Sequence, residues 1–387
     1  MKVLFVNHTG IVSGAEHSLL ALVGGLPPEV VAGLACPEGP LAEMARERGV
    51  EVHPIRGTAG SLRLHPWHTS VALGEMALSG VQVGGAARRS GASVVHANSL
   101  RAGLLAGISN RLHRHGLVAH VRDCLPDSSA TRLIRRLVAR EAGQVVAISQ
   151  YVAERFQAGL SDRDVSVQVI DNPVDLGRFR ADLRGPDVSR SLDEPLLVMV
   201  GQISSWKGHD TAIRALRDLR SHQLHARLLI VGEIKFADAA TRLDNRGYLA
   251  ELHELVRELG LSEAVEFAGE RRDVPEIMAR ADAVLVPSIE EPFGRTVAEA
   301  MAVGTPVVAT SVGGPAELID DGATGLLAPP GQPAAWSRAI RSILQNPEKA
   351  REMGRCASEV ARRRFAVERH VAAMMEVYGS VEPTRPH

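Results

Sequence analysis

The sequence predicts an α/β protein with parallel sheets in two doubly wound units, and three observations carry that reading. Short runs rich in Val, Leu and Ile alternate with a loop and then a helix-compatible stretch, an order that repeats along the chain. The chain has 387 residues, enough for about two domains of ordinary size. Aromatic residues make up 3% of it while hydrophobic residues make up 45%, so the cores must be built from Val, Leu, Ala and Ile. Such residues suit strands buried on both faces.

Composition removes several classes of function. A formal net charge of −1 gives no bulk field to draw in nucleic acid, so no nucleic-acid partner is expected. Cys36, Cys124 and Cys356 are odd in number and contain no Cys-x-x-Cys, which argues against a disulfide scaffold or zinc site and for a reducing, cytoplasmic compartment. The apolar run of MKVLFVNHTG ends at Asn7, too short for a signal-peptide core. No window approaches the roughly 18 consecutive apolar residues of a membrane span. A soluble protein, at most peripheral on the inner face of a membrane, is the expectation.

Lys2–Val6 reads as the first strand. The loop NHTGIVSGAEHS follows, flanked by Gly10 and Gly14, and then a helix. Glycine lets backbone approach a ligand, and the first N–H groups of a helix have no partner inside it, so Gly14 is a candidate phosphate or sugar contact. A plain strand-to-helix turn is the alternative. The loop is not Gly-x-Gly-x-x-Gly, and no acidic residue ends the next strand, so a nicotinamide fingerprint is absent. Strands at Val30–Cys36 and Val50–Ile55 flank a helix at Leu41–Arg48. Gly57–Ser70 is a long loop, read either as acceptor contact or as plain surface, before a helix to Arg89.

The strand Ser93–His96 ends in His96-Ala97-Asn98-Ser99. His96 and Asn98 either face a ligand or cap the next helix, for which Ser99 is the better N-cap. The strand Leu117–Val121 carries His120, Arg122 and Asp123, which form a local ion pair or contact a sugar. The helix Ala130–Ala142 places Arg132, Arg135, Arg136 and Arg140 on one side and Leu133, Ile134, Leu137 and Val138 on the other. Such a basic face is ordinarily solvated; the sharper reading is docking to anionic lipid headgroups. Further strands are expected at Gln144–Ile148 and Val165–Ile170, with Ser149 capping the helix through Phe156.

The expected domains are 1–180, a polar linker at 181–194, a second domain at 195–365, and a terminal helix with its tail at 366–387. The second domain opens with the strand Leu196–Val200 and the loop GQISSWKGHD. Lys207 precedes Gly208 there, the reverse of a Walker P-loop. A cation beside helix N–H groups is what a diphosphate needs, and a surface lysine is the plain alternative. Strands are expected at Leu228–Val231, Val265–Ala268 and Gly325–Leu327, and the chain from Ala334 to Tyr378 reads as helical. Arg271 and Arg272 are read as solvent charges.

Between Ala283 and Glu317 the order is strand, acidic loop, helix, strand, the unit of a parallel sheet. Glu291 lies in the loop and Glu299 in the helix, eight residues apart. Pro292-Phe293-Gly294, Glu299-Ala300-Met301-Ala302 and Gly304-Thr305-Pro306-Val307 follow in order. An acidic pair alone is common; with those neighbours the stretch resembles the retaining, nucleotide-sugar-dependent glycosyltransferases of family 4 (glycosyltransferase group 1).

That resemblance implies a GT-B fold, two Rossmann-like domains facing each other across a cleft, with terminal helices crossing back to the first domain. It implies a nucleoside-diphosphate sugar (UDP-, GDP- or ADP-) as co-substrate and a hydroxyl-bearing acceptor. On the matching positions, Gly14 covers the donor phosphates and His120 lies beside the donor sugar. Lys207 binds the diphosphate, Glu291 the sugar near its 3-hydroxyl, and Glu299 the ribose. Phe293 and Gly294 belong to the donor loop. The family's loop after the first strand of this domain begins Gly-Arg; here Gln202 replaces the Arg and brings no charge. His120, Glu291 and Lys207 are the implied catalytic set. Front-face attack, with the leaving phosphate assisting proton transfer, is also implied. The residues themselves show no Asp-x-Asp at a strand end and no histidine cluster, so no metal and no other cofactor is expected. A nucleotide-sugar epimerase and a non-catalytic nucleotide-sugar-binding protein are the competing readings.

Overall fold

The computed structural model describes residues 1–57, 66–113, 115–160, 166–184, 194–235 and 245–382. The long-loop candidate between Gly57 and Ser70 falls largely outside them, although a helix, Pro66–Ser90, already begins within that range. Among the described residues thirteen strands form, in chain order: β1 (Lys2–Val6), β2 (Val31–Cys36), β3 (Glu51–Pro54), β4 (Val94–Ala97), β5 (Gly116–Val121), β6 (Gln144–Ala147), β7 (Val167–Val169), β8 (Leu196–Val200), β9 (Arg227–Val231), β10 (Val265–Phe267), β11 (Ala283–Val286), β12 (Val307–Thr310) and β13 (Leu326–Ala328).

The strands make two parallel sheets, ordered β3-β2-β1-β4-β5-β6-β7 and β10-β9-β8-β11-β12-β13. Each order reverses once, between β1 and β4 and between β8 and β11. In open α/β sheets a ligand binds outside the carboxyl ends of the strands at that reversal. The two sheets therefore each offer one such position, and each is the Rossmann-like arrangement the sequence predicts.

Alternation along the strands shows why they are so uniformly apolar. Val3, Phe5, Val94 and Val118 enter one core, with Leu19, Leu34, Met374 and Tyr378. Leu4, Val6, Val95 and Leu117 enter the opposite one, with Val83, Ala86 and Leu105. Successive side chains of a strand point to opposite faces, and here both faces are covered. In the other sheet Leu197, Met199, Leu228, Ile230 and Leu285 pack with Leu216 and the fully buried Trp336.

The compact units are Met1–Pro173 together with the segment from Val367, and Val174–Ala366. The first boundary falls earlier than the expected 180, and the expected linker starts with ordered structure. Val174 N donates to Phe365 O at 2.9 Å. A short 3-10 helix at Ala181–Arg184 lets Arg184 Nη1 reach Ala279 O, Ala281 O and Thr305 Oγ1 at 3.2, 2.9 and 2.9 Å. A charged sequence reads as linker, yet the guanidinium's several donors tie it to the second unit. The rest of that linker, 185–193, lies outside the described residues.

Two other expectations change. The stretch from Ala334 to Tyr378 is three helices, Pro333–Gln345, Pro347–Arg364 and Val367–Val381. Pro347 has no N–H to continue the first, and it disfavours helical backbone at Asn346. On the helix Ser129–Glu141, Arg135 leaves the basic face. It is 5% exposed and donates to Arg155 O, Phe156 O and Asp127 Oδ1, closing the carbonyl end of the helix Gln150–Gln157. Leu133, expected on the apolar side, is 54% exposed beside Arg132 and Arg136. The predicted caps hold: Ser99 and Ser149 accept from Ala102 N and Val152 N, each at 3.1 Å.

Candidate active site

In the second unit the site is built on the ends of β8 and β11. After β8 the chain makes a 3-10 turn, Ser205–Lys207, and ends it at Gly208 in the left-handed region (φ 72°). A Cβ there would lie 2.0 Å from Pro287 O, so only glycine lets this turn press against the end of β11. Ile289 N donates to Trp206 O at 2.8 Å and fixes the contact. The result is that Lys207 Nζ meets Glu291 Oε2 at 2.6 Å. Ser288 Oγ donates to the same oxygen at 3.0 Å, and the Lys207 ammonium lies 4.4 Å from the centre of the Trp206 ring.

The side chains of Lys207 and Glu291 are 17% and 12% exposed, so the pair is shielded yet reachable. Glu291 is held from behind as well. Its carbonyl accepts from Gly314 N at 2.8 Å, and a Cβ on Gly313 (φ 89°) would sit 2.2 Å from that carbonyl. Gly294 (φ 96°) then turns the chain into the helix Arg295–Val303. Thr296 Oγ1 donates to Val200 O at 3.3 Å, which seats the first turn of that helix on the end of β8. Within the helix, Arg295 Nη2 donates to Glu299 Oε1 at 2.7 Å. Glu299 is buried, and its carboxylate has capacity for more donors.

Gln202 lies just past β8, after Gly201, half-buried, in a loop pinned by Gly201 N to Val231 O (2.9 Å) and Ile203 N to Glu233 O (3.0 Å). Phe293 packs inward, buried against Phe365 with ring centres 6.1 Å apart. Its ring serves packing. Arg295 had no place in the sequence reading; its spacing of four from Glu299 on a predicted helix was the available signal.

In the first unit Gly14 opens the helix Gly14–Gly24. Two residues on, the Glu16 carboxylate accepts from Ser13 N and Oγ at 2.9 and 2.6 Å and from Asn7 Nδ2 at 3.1 Å. From there a buried chain of hydrogen bonds crosses the strand ends. Asn98 Nδ2 donates to Asn7 Oδ1 (3.0 Å), and Arg122 Nε to Asn98 Oδ1 (2.7 Å). Arg122 Nη1 donates to Asn172 Oδ1 (2.6 Å), and its Nη2 lies 3.2 Å from His120 Nδ1. The chain thus links the Gly14 helix to His120. The sequence flagged the Gly14 turn and the strand ends at Asn98 and His120–Arg122 separately, and could not show them bonded.

His120 is fully buried, with the His96 ring 5.3 Å away and the His370 ring stacked at 6.2 Å. His96 Nδ1 lies 2.7 Å from the Tyr378 hydroxyl. Burial, and then the Arg122 charge, hold His96 and His120 well below the ordinary histidine range. The same causes bring His370 down to about 4. These rings are neutral at physiological pH.

The second unit thus brings Lys207, Glu291, Gly294 and Glu299 to one sheet reversal, and the first brings Gly14, Asn98, Arg122 and His120 to another. Residues 12–178 match the family described as Glycosyltransferase Family 4, and residues 186–360 the family described as Glycosyl transferases group 1. The D-inositol 3-phosphate glycosyltransferase of Actinosynnema mirum is 32% identical over 335 residues, 83% of this chain and 76% of that protein. The enzyme of the same name from Nocardia farcinica is 31% identical over 270 residues, 66% of this chain; the match spans 58% of its length, and 54% and 56% of two further relatives. Among solved structures, Anabaena HepE in complex with UDP-glucose is 27% identical with a TM-score of 0.82, covering 98% of this chain and 100% of that one. Two reversal-point sites of this make-up, joined to matches that run through both units, lead to one conclusion: the chain belongs to the group 1 glycosyltransferases of family 4.

Proposed function

We propose that the protein transfers a sugar from a nucleoside-diphosphate sugar to a hydroxyl acceptor, with retention at the anomeric carbon and without a metal. The observation that carries this reading is the Lys207–Glu291 pair at the β8/β11 reversal, with Glu299 on the adjoining helix. An arriving diphosphate competes with Glu291 for the Lys207 ammonium, and the carboxylate so released is poised to accept from sugar hydroxyls. Lys207 then stabilises charge as it develops on the leaving diphosphate, and a diphosphate oxygen takes the acceptor's proton. Glu299 accepts from the ribose diol. UDP-sugars are the first donors to test, since the HepE structures hold UDP and UDP-glucose at 26–27% identity.

A thermal-shift series with UDP-, GDP- and ADP-sugars tests the donor, because a ligand bound only by the native state stabilises it by mass action. No stabilisation by any of them sinks the reading. Turnover abolished by EDTA and restored by Mg²⁺ or Mn²⁺ would remove the metal-free part, and a product of inverted configuration would remove retention.

We extend the proposal to peripheral contact with an anionic membrane on the cytoplasmic side. Arg132, Arg136 and Arg140 are exposed on one helix with Leu133 among them, and none of Cys36, Cys124 and Cys356 is in a disulfide, which fits a reducing compartment. Among the described residues no helix is long and apolar enough to cross a membrane. Equal co-sedimentation with anionic and neutral vesicles would dispose of the contact.

A further inference from the structure

A diphosphate is a multiply charged anion, and it gains charge as the sugar leaves. Against it the loop after β8 sets one cation. In GQISSWKGHD only Lys207 is positively charged, and it lies 2.6 Å from the Glu291 carboxylate. Gln202 in that loop is neutral, and burial brings His209 down to about 4, so it is neutral too. One ammonium, a compact point charge, is a thin match for a diphosphate.

A second cation stands at the same sheet reversal. Arg295 is the first residue of the helix Arg295–Val303, and Gly294, in the left-handed region at φ 96°, turns the chain into it. Thr296 Oγ1 donates to Val200 O at 3.3 Å, so this first turn sits on the last residue of β8, from which the Gln202 loop leaves. Arg295 Nη2 donates to Glu299 Oε1 at 2.7 Å, with side chains 22% and 11% exposed. An ordinary helix-face pair four residues apart lies open to water. This one is shielded about as well as Lys207 and Glu291, at 17% and 12%. Lys235 and Arg271 lie past β9 and β10, on the side of β8 away from β11, and pair with Glu270 and Asp273.

We propose that Arg295 is the second cation of the diphosphate site, its guanidinium binding a phosphate oxygen of the donor while still holding Glu299 in place for the ribose. The proposal rests on the glycosyltransferase reading above and involves the second unit alone. A guanidinium carries five donors in a flat fork, so it can hold a carboxylate and a phosphate oxygen together. The two pairs then act alike. Each cation is held by a carboxylate, which keeps it from lying shielded and uncompensated between turnovers. When phosphate reaches the cation, the carboxylate accepts from neutral hydroxyls, of the sugar at Glu291 and of the ribose at Glu299. Loss of Arg295 therefore harms phosphate binding more than ribose binding.

Titrations of the full-length protein with UDP and with uridine, followed by NMR, separate a phosphate contact from mere support of Glu299. Uridine has the same base and ribose and no phosphate. Arg295→Met should weaken UDP about tenfold to a hundredfold more than it weakens uridine, the scale of one hydrogen bond to a charged group. Arg295→Lys, which keeps the charge, should lose less. Equal weakening of the two ligands overturns the proposal, and so does an unchanged UDP affinity. If the Met variant fails to fold, the wild type decides. With ¹⁵N-labelled arginine, the Arg295 Nε–H signal, identified by its loss in Arg295→Lys, should move further with UDP than with uridine. A signal that UDP leaves in place, or that uridine moves as far, overturns the proposal. Where GDP or ADP is the nucleotide bound, it and its nucleoside take the place of UDP and uridine. Wild-type binding of a nucleoside diphosphate that ignores Arg295 overturns this proposal and leaves the donor reading standing; binding of none of the three overturns both.

Discussion

In the second unit the candidate groups pair by charge, Lys207 on Glu291 at 2.6 Å and Arg295 on Glu299 at 2.7 Å. In the first unit neutral imidazoles and amides surround one guanidinium, Arg122, and pass hydrogen bonds from strand to strand. The contrast teaches which changes each site tolerates. A charge pair fails when one partner is removed, because the other is left buried and uncompensated. A neutral relay fails by losing orientation, and it is sensitive to protonation.

The largest effect should come from breaking the charge pair. Lys207→Met should lower kcat/KM about a thousandfold, the scale of removing one group that stabilises a leaving or attacking oxygen. Steady-state kinetics with a UDP-sugar checks it. In Lys207→Met/Glu291→Gln the loss should fall short of the product of the single losses, since the two side chains act as a unit. A loss equal to the product would mean the pair is not the functional element.

Acid should separate the units next. Burial lowers His8 and His370 from 6.5 to about 4 in the first unit and holds His96 and His120 well below 6.5; among the described residues of the second unit, His209 is lowered to about 4. Each binds a proton more readily when unfolded, so stability is full above 6.5 and is lost as pH falls from about 6.5 toward about 4. With more such histidines, the first unit should lose protection before the second. Hydrogen exchange followed by mass spectrometry at stepped pH would show it, and simultaneous loss in both would refute it.

Glu299→Gln keeps the shape and loosens Arg295, and on the proposed function it weakens acceptance from the ribose. UDP affinity by calorimetry should fall about tenfold, as for loss of one charge-assisted hydrogen bond. Unchanged affinity would remove Glu299 from the ribose. Tyr378→Phe should be the mildest, costing about 1–2 kcal/mol of stability in urea unfolding because His96 Nδ1 loses its partner in a buried place.

Much of the second site was legible because its parts lie in one stretch. Gly294, Glu299 and the helix between them are set by local turn and helix chemistry, and so is the Lys207–Gly208 turn. The pairing of Lys207 with Glu291 was not legible, since 84 residues separate them and only the β8–β11 neighbour relation brings them together. The relay in the first unit was harder still. Asn7 and Asn98 are 91 residues apart, Arg122 and Asn172 50, and each looks like an ordinary polar strand end on its own. Arg135 and Pro347 show the two local failures. Arg135 matched its helical face by period but was claimed by the carbonyl end of another helix, and a uniform helical pattern concealed the break at Pro347.

The helix Val367–Val381 lies with the first unit, while all of Val174–Ala366 belongs to the second. Met374, Val377 and Tyr378 fill the first unit's core and are almost wholly buried. On the ribosome, therefore, the half made first is finished last. The second unit has its full complement of chain once Ala366 has emerged, whereas the first waits for residues made some two hundred positions after its own β7. Nascent chains halted just short of the final helix should hold a protease-resistant second unit and a first unit that is still being cut. The unit that carries the His120 relay would then be the one a chaperone has most time to find.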